Sequence, residues 1–254
     1  MRYAPPFIAA LLTAMPALAS PLEISAAGGL EWNRTNKTYT ATKDVIATRD
    51  TARVTCDTLT AHYTGENNAS DITKLVAKGR VVLSSPPYKA YGDKAIYTVA
   101  TGDAVLTGKN LRIAANAEHL TARDKIIYNA QNATMTAIGN ATAHKDGRTL
   151  TSESLTAWFE KGANNKMTTK KVTTSGPVTI TTENEVITGD SGFYDVATQT
   201  ATLTGNVRIT QGESFLEGTR ATVDMKTGIS RLSAQDSTAT DGRVKGVFYP
   251  KKKQ

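Results

Sequence analysis

The sequence predicts an all-β chain, and three observations carry that prediction. Threonine is abundant, with 40 copies among 254 residues, and its β-branched side chain is stiff and favoured in strands. No window of a dozen residues keeps an apolar stripe at i, i+3, i+4, so helices are not supported. A short motif of alternating apolar residues recurs along the chain at spacings of about 30 residues, and such a repeat implies stacked units.

Composition excludes several classes. The net charge of +7 is modest for 254 residues, and 21% charged residues is ordinary for a folded chain. One cysteine rules out a disulfide framework and a cysteine-based zinc site. The favoured reading of Cys56 is a small buried strand residue.

Residues 1–19 read as a separate object. Arg2 precedes the short apolar run Phe7 to Leu12, and Ala17-Leu18-Ala19 is a small-x-small cleavage signature. This is the pattern of a cleaved secretory signal, with cleavage expected after Ala19. The run is far shorter than the roughly 20 residues a membrane span needs. The expected mature unit is a repeat domain over 20–240, followed by a basic tail over 241–254. Arg243, Lys245, Lys251, Lys252 and Lys253 in that tail hold most of the positive excess, so the rest of the chain is not a basic binding face.

The first mature strands fall at Leu22 to Ile24 and Leu30 to Trp32. The repeat then starts at Lys43, Gly79, Lys109, Gly139, Gly176 and Gly205. Each start is a turn signal followed by period-2 alternation, as in Gly79-Arg80-Val81-Val82-Leu83 and Gly205-Asn206-Val207-Arg208-Ile209, and reads as a strand entry. A second column follows each first one and carries an acid: Asp57, Asp93, Glu118, Glu153, Asp190, and no acid in the last copy, Gly218-Thr219-Arg220. The acids read as residues bonding turn amides. A third column closes the unit at Val105-Leu106-Thr107-Gly108 and Thr202-Leu203-Thr204-Gly205. Polar insertions at 65–71 and 161–166 account for the two longest spacings. The last strands fall at Ile229 to Ser233 and Val244 to Tyr249. This gives about 14–18 short strands, a pattern that fits a sandwich, barrel or solenoid.

A unit of 30 residues cannot bury its own apolar face, but stacked units can. The inward residues share one parity, and many are Ala, Gly or Thr. Either the interior is a slim, closed core of small residues, or it is partly open as a groove for an apolar ligand. The two ends are free strand edges, which must be capped or used for strand addition between chains.

Taken in order, the opening Leu22-Glu23-Ile24-Ser25-Ala26, the repeated Leu-Thr-Gly-(x)-Asn-(Val/Leu)-Arg-Ile, the element Gly92-Asp93-Lys94-Ala95-Ile96-Tyr97 and the closing 216–228 segment resemble the periplasmic lipopolysaccharide-transport bridge family, the LptA/OstA type. The resemblance covers almost the whole chain after residue 19. It implies an incomplete, V-shaped and open-ended antiparallel β-jellyroll with an apolar groove. It implies binding of lipopolysaccharide acyl chains, end-to-end self-association, and partners of similar fold in the inner and outer membranes. No cofactor and no catalytic residue is implied. Carried over residue by residue, the groove lining would be Val45, Val81, Leu83, Leu111, Ile113, Val178, Ile180, Val207, Ile209, Ala95, Tyr97, Leu120, Tyr194 and Val223. Ala141 and Ala143 in the fourth unit, and Gly192 in the fifth, are smaller than the pattern and would widen the groove or lose contact there.

Other functions find little support. His62, His119 and His144 lie in different repeat phases, with no nucleophile or ligand motif around them. Phosphate loops and calcium loops are missing, and the charge argues against nucleic acid. The alternative reading is a secreted β-helix adhesin or scaffold, with a β-helical polysaccharide-active enzyme as a weaker third.

Overall fold

The computed structural model describes residues 21–65, 71–161, 167–234 and 243–249. The expected signal segment with its cleavage point, most of both polar insertions, and residues 241–242 and 250–254 of the basic tail lie outside the described residues.

Among the described residues there is no helix, and nineteen strands join in one antiparallel sheet. Nine are long, at 11 to 15 residues: β3 (Thr38–Arg49), β4 (Ala52–Thr64), β5 (Asp71–Ser85), β6 (Tyr88–Thr98), β11 (Thr134–Lys145), β12 (Arg148–Lys161), β13 (Met167–Thr181), β16 (Thr200–Gln211) and β17 (Ser214–Asp224). The others are short: β1 (Glu23–Ser25), β2 (Leu30–Asn33), β7 (Asp103–Thr107), β8 (Leu111–Ala115), β9 (Glu118–Ala122), β10 (Lys125–Asn129), β14 (Val186–Gly189), β15 (Ser191–Asp195), β18 (Ile229–Ser233) and β19 (Lys245–Val247). The count exceeds the expected 14–18, and half the chain's strands are not short. The length of the long strands has one cause.

Five of the six expected strand entries are β-bulges inside continuous strands. Lys43-Asp44, Gly79-Arg80, Gly139-Asn140, Gly176-Pro177 and Gly205-Asn206 each sit at a register shift in β3, β5, β11, β13 and β16. In each, two residues oppose one on the neighbouring strand. Only Lys109-Asn110 separates two strands, β7 and β8. In the four bulges that lack proline, both residues take positive φ, for example Gly79 at 75° with Arg80 at 45°, and Gly205 at 72° with Asn206 at 43°. Two successive left-handed residues bend a strand sharply and increase its twist. The turn signal was read correctly, but it bends a strand instead of starting one.

The bend lets one strand serve two ladders. The halves before and after the bulges pair in separate series. The first ladder runs β2-β3-β4-β5-β6-β7-β10-β11-β12-β13-β15-β16-β17-β18. The second runs β1-β3-β4-β5-β6-β8-β9-β11-β12-β13-β14-β16-β17-β19. All nine long strands belong to both. The result is an open-ended β-jellyroll folded along the line of bulges. Every pairing is antiparallel, which removes the β-helix alternatives, whose coils pair in parallel.

The single residue opposite each bulge is the acid column. Asp57 faces the bulges of β3 and β5, Asp93 that of β5, and Glu153 those of β11 and β13. Thr219 takes the place in β17, where the acid is lost. The carboxylates hold the bends. Lys109 N–H donates to Asp93 Oδ2 at 2.9 Å, Asn206 Nδ2 donates to Asp190 Oδ2 at 2.8 Å, and Arg80 pairs with Asp57 and Asp44. This agrees with turn bonding. Glu118 is the exception: it is not opposite a bulge but pairs with Lys145 at 2.6 Å. Asp124 stands at the fourth bulge instead, against Gly139.

Glycine at these bulges is required twice over, by the positive φ and by the carboxylate behind it. A Cβ on Gly205 would overlap the Asp190 carboxylate, whereas one on Gly147, also at positive φ, meets open space. Gly147→Ala should cost about 1 kcal/mol of backbone strain. Gly205→Ala should cost about 3 kcal/mol, because the carboxylate must also move. Urea-denaturation midpoints of the two variants at constant slope measure the difference.

Candidate functional site

The candidate site is the space between the two ladders, because the apolar residues of both turn towards it. In the second ladder the register gives an unbroken cross-strand row. It starts at Ile24, passes Leu83, Ile113, Leu120, Leu150, Ile180 and Ile209, and ends at Leu216 and Gly246. No position in this row is polar. Nearer the bend, a second row carries Val45, Val81, Leu111, Val178 and Val207, all fully buried. The first ladder answers with Leu59, Ala95, Leu106, Ile126, Leu155 and Leu203, and beyond them Tyr97, Tyr128, Tyr194 and Val223.

All fourteen residues expected in the lining share this inward register. Leu83, Ile180, Tyr97 and Tyr194 are half-buried, and the other ten are buried. Thirteen belong to, or pack on, two apolar clusters, one from Leu22 to Val172 and one from Leu150 to Leu232. Tyr97 stands apart from both. Among the buried residues missed from sequence are Phe159, Met135, Leu59, Leu106, Ile126, Leu155, Ile187 and Leu203. Leu106 and Leu203 sit in the weak third column, and Leu59 two places after an acid of the second, so the same repeat could have found them.

The interior is filled, not gaping, in line with the small-residue core. Ala141 is 0% exposed, so the fourth unit shows no opening at its small residue. Gly192 does. A cavity of about 30 Å³ lies there, lined by Leu150, Val172, Thr174, Val178, Ile180, Tyr194 and Leu203. It separates the two clusters, and only Leu150 packs on both.

Charge stays off this surface and collects around it. The Lys145–Glu118 pair continues the inward register beyond Ala143 and Leu120, at the mouth of the V. Burial pushes the Tyr194 hydroxyl above its usual range, while Lys145 and Arg148 pull it down. Burial likewise raises the Tyr128 hydroxyl and the Cys56 thiol, whose Sγ lies 3.3 Å from the Thr58 carbonyl. Cys56 is thus the expected buried strand residue.

Two histidines thought unrelated do meet. His119 and His144 are cross-strand partners on the outer face, stacked at 5.1 Å. Partial burial, His144 and Arg112 lower the His119 pKa. Among the described residues no group of three His, Cys, Asp or Glu side chains could hold a metal ion, and no helix is long and apolar enough to cross a membrane.

Both ends carry exposed apolar side chains. β1 and β2 pair only with β3, and β18 and β19 only with β17. At the first end Leu30 is 63% and Trp32 50% exposed; at the other Ile229 is 49% and Phe248 73% exposed. Trp32 is fixed in place. Its Nε1–H donates to Tyr63 Oη at 2.8 Å, it stacks on Tyr39 at 5.6 Å, and Arg34 covers it at 4.4 Å.

A family model described as "LptA/(LptD N-terminal domain) LPS transport protein" matches the chain twice, over residues 24–134 and 119–229. The chain belongs to this family of lipopolysaccharide transport proteins. The two matches follow the fold: Val81 and Leu83 of the first correspond by repeat to Val178 and Ile180 of the second, and Leu111 and Ile113 to Val207 and Ile209. Together the two matches span both apolar clusters, with Gly192 inside the second match. A solved structure of LptH from Pseudomonas aeruginosa, titled the LptA-homologous periplasmic component of its lipopolysaccharide transport device, is 12% identical over 91% of this chain and 96% of that chain, with a TM-score of 0.25. No curated protein matches the chain.

The interior sets two expectations. Leu203→Ala should destabilise by about 2–5 kcal/mol, as large-to-small changes at fully buried sites do. Gly192→Ala should stabilise by about 0.5–1 kcal/mol, since its backbone is unstrained and its Cβ would enter the gap at ordinary contact distance from Thr174. Thermal melts of both variants report the two signs.

Proposed function

We propose that this chain holds lipopolysaccharide by its acyl chains between the two ladders, and passes it across the periplasm as one link in a head-to-tail protein bridge. The observation that carries the reading is the apolar row of the second ladder, which runs from one open end to the other without a polar side chain. An acyl chain of a dozen carbons loses about 10 kcal/mol of favourable burial when exposed to water, at about 0.8 kcal/mol per methylene. Transport through an aqueous compartment needs that surface covered at every step. A lining repeated unit after unit offers wells of similar depth, so lipid is held without being trapped.

Because the interior is filled, acyl chains enter by exchanging side-chain contacts for lipid contacts along the mouth, opposite the line of bulges. The gap at Gly192 is where that exchange starts most easily. Direction comes from outside the chain, whose role in this family is transport and not catalysis. Residues 1–19 supply export by a cleaved signal. The edges β1, β2, β18 and β19 join further copies and the partners of similar fold in the two membranes.

Photo-crosslinking amino acids at Leu83 and Ile113, in the row away from the bend, should capture lipopolysaccharide in cells, while their outward neighbours Val82 and Arg112 should not. Equal labelling at both parities would sink the groove. For the ends, Trp32→Ser and Ile229→Ser should each abolish end-to-end oligomers in size-exclusion chromatography with the circular dichroism spectrum unchanged. Oligomers that persist in both variants would refute assembly through these edges.

A further inference from the structure

The outer face of the first ladder carries a feature that transport through the interior does not use. One outward row crosses this ladder in continuous register: Glu31, Thr40, Thr60, Val76, Ile96, Val105, Ile127, Thr136, Thr156, Thr173, Phe193, Thr202, Thr222, Arg231. Threonine fills seven of its positions. On the four adjacent strands β5, β6, β7 and β10, and nowhere else in the row, the residue is aliphatic. Strand propensity does not explain the switch, because threonine satisfies it elsewhere in the same row with nearly the same shape. The four side chains make a half-buried stripe about 14 Å long at ordinary strand spacing.

Lysines cluster on the same strands. Lys78 and Lys94 are paired in the row towards the bend, where Lys125 follows across Thr107, and Lys74 lies on the other side of Val76. Elsewhere that row towards the bend holds Thr42, Thr58, Ile138, Ser154, Ser175, Ser191, Thr204 and Ser233, with one further cation, Arg220, on the distant strand β17. None of the four lysines is in an ion pair among the described residues. The one acid on the outward rows of these strands, Asp103, is turned to the Ala130 amide at 2.9 Å.

We propose that this face docks on the surface of an anionic lipid bilayer, with the stripe of Val76, Ile96, Val105 and Ile127 resting at the headgroup boundary and Lys74, Lys78, Lys94 and Lys125 on lipid phosphates. The choice of lipid over protein follows from the residue types. Protein interfaces favour aromatic residues and arginine and are poor in lysine, whereas the first-ladder halves of these four strands present lysine and no aromatic or arginine in their outward rows. Long lysine stems spread over apolar surface while their ammonium groups reach a charged plane. Such a contact lays the strands of the first ladder along the membrane and leaves the interior and both ends free.

The test is co-sedimentation of the purified protein with vesicles of phosphatidylglycerol and phosphatidylethanolamine, compared with phosphatidylcholine vesicles. Neither contains lipopolysaccharide, so the result is independent of the groove. The protein should bind the anionic vesicles, bind the zwitterionic ones weakly, and release in high salt. The quadruple variant V76T/I96T/V105T/I127T should lose binding. The variant K78Q/K94Q/K125Q, which leaves the stripe intact, should bind about fivefold more weakly for each lysine removed. Failure to bind anionic vesicles, equal binding to both lipids, or wild-type binding by the lysine variant would each overturn the proposal. So would capture of an acidic protein by this face without vesicle binding.

Discussion

The fold depends on one repeated arrangement: two left-handed residues bulging from one strand against a single residue, usually an acid, on the next. Each unit of this kind bends a strand, and the carboxylate opposite the bend satisfies an amide or a cation there. Asp93 with Lys109, Asp190 with Asn206 and Asp57 with Arg80 are three versions of one contact. Stacking the bends in a line splits a single sheet into two ladders that must face one another. Without the bulges, strands of 12 to 15 residues would form a flat sheet with both faces wet, and threonine-rich strands could not hold it.

The bend also sets what the interior can contain. Close to the line of bulges the interior is dry, whatever the size of the side chain: Ala41, Val45, Leu59, Ala77, Val81, Leu111, Leu155, Val178, Leu203 and Val207 are all buried. Farther from it the space admits Leu83, Ile113, Ile180, Tyr97 and Tyr194, and these include the half-buried residues. An interior graded in this way has a dry seam and an adaptable mouth. The seam supplies stability, and on the proposed reading the mouth is where a lipid chain replaces side-chain contacts.

Much of this was legible in the sequence, and the failures share a physical origin. Period-2 parity put all fourteen expected residues on the inward face of the sheet, because parity survives along each half-strand whatever the half-strand pairs with. The edge strands were legible too: Ile229 to Ser233 was expected and found as β18. Strand number and length were not. A Gly-Asn or Gly-Arg pair with positive φ signals a turn or a bulge equally well, and only the partner strand decides which. Asp124 was missed and Glu118 wrongly grouped for the same reason. The acid is defined by what it faces across the sheet, and Glu118 merely occupies the same place in a local pattern. His119 and His144 lie far apart in sequence, and only the pairing of β9 with β11 brings them together.

Repetition has a consequence for the ends. Within the chain each unit is covered on both sides, so an apolar row needs no special residue to stop it. At β1, β2, β18 and β19 the rows stop abruptly, and hydrogen-bonding edges of three to five residues remain on each ladder. Such edges are commonly blunted by charge or proline. Here Leu30, Trp32 and Ile229 stand among Glu23, Glu31, Arg231 and Lys245, and Arg34 lies over the face of Trp32. A second chain added in register would continue the row that begins at Ile24 and ends at Gly246, at the same strand spacing as inside the chain. The interior would then extend without a polar break, because the row itself has none to contribute. A lipid chain crossing the junction would meet the same kind of surface on both sides, and the spacing of wells along the path would be set by the strand repeat and not by the length of any one protein.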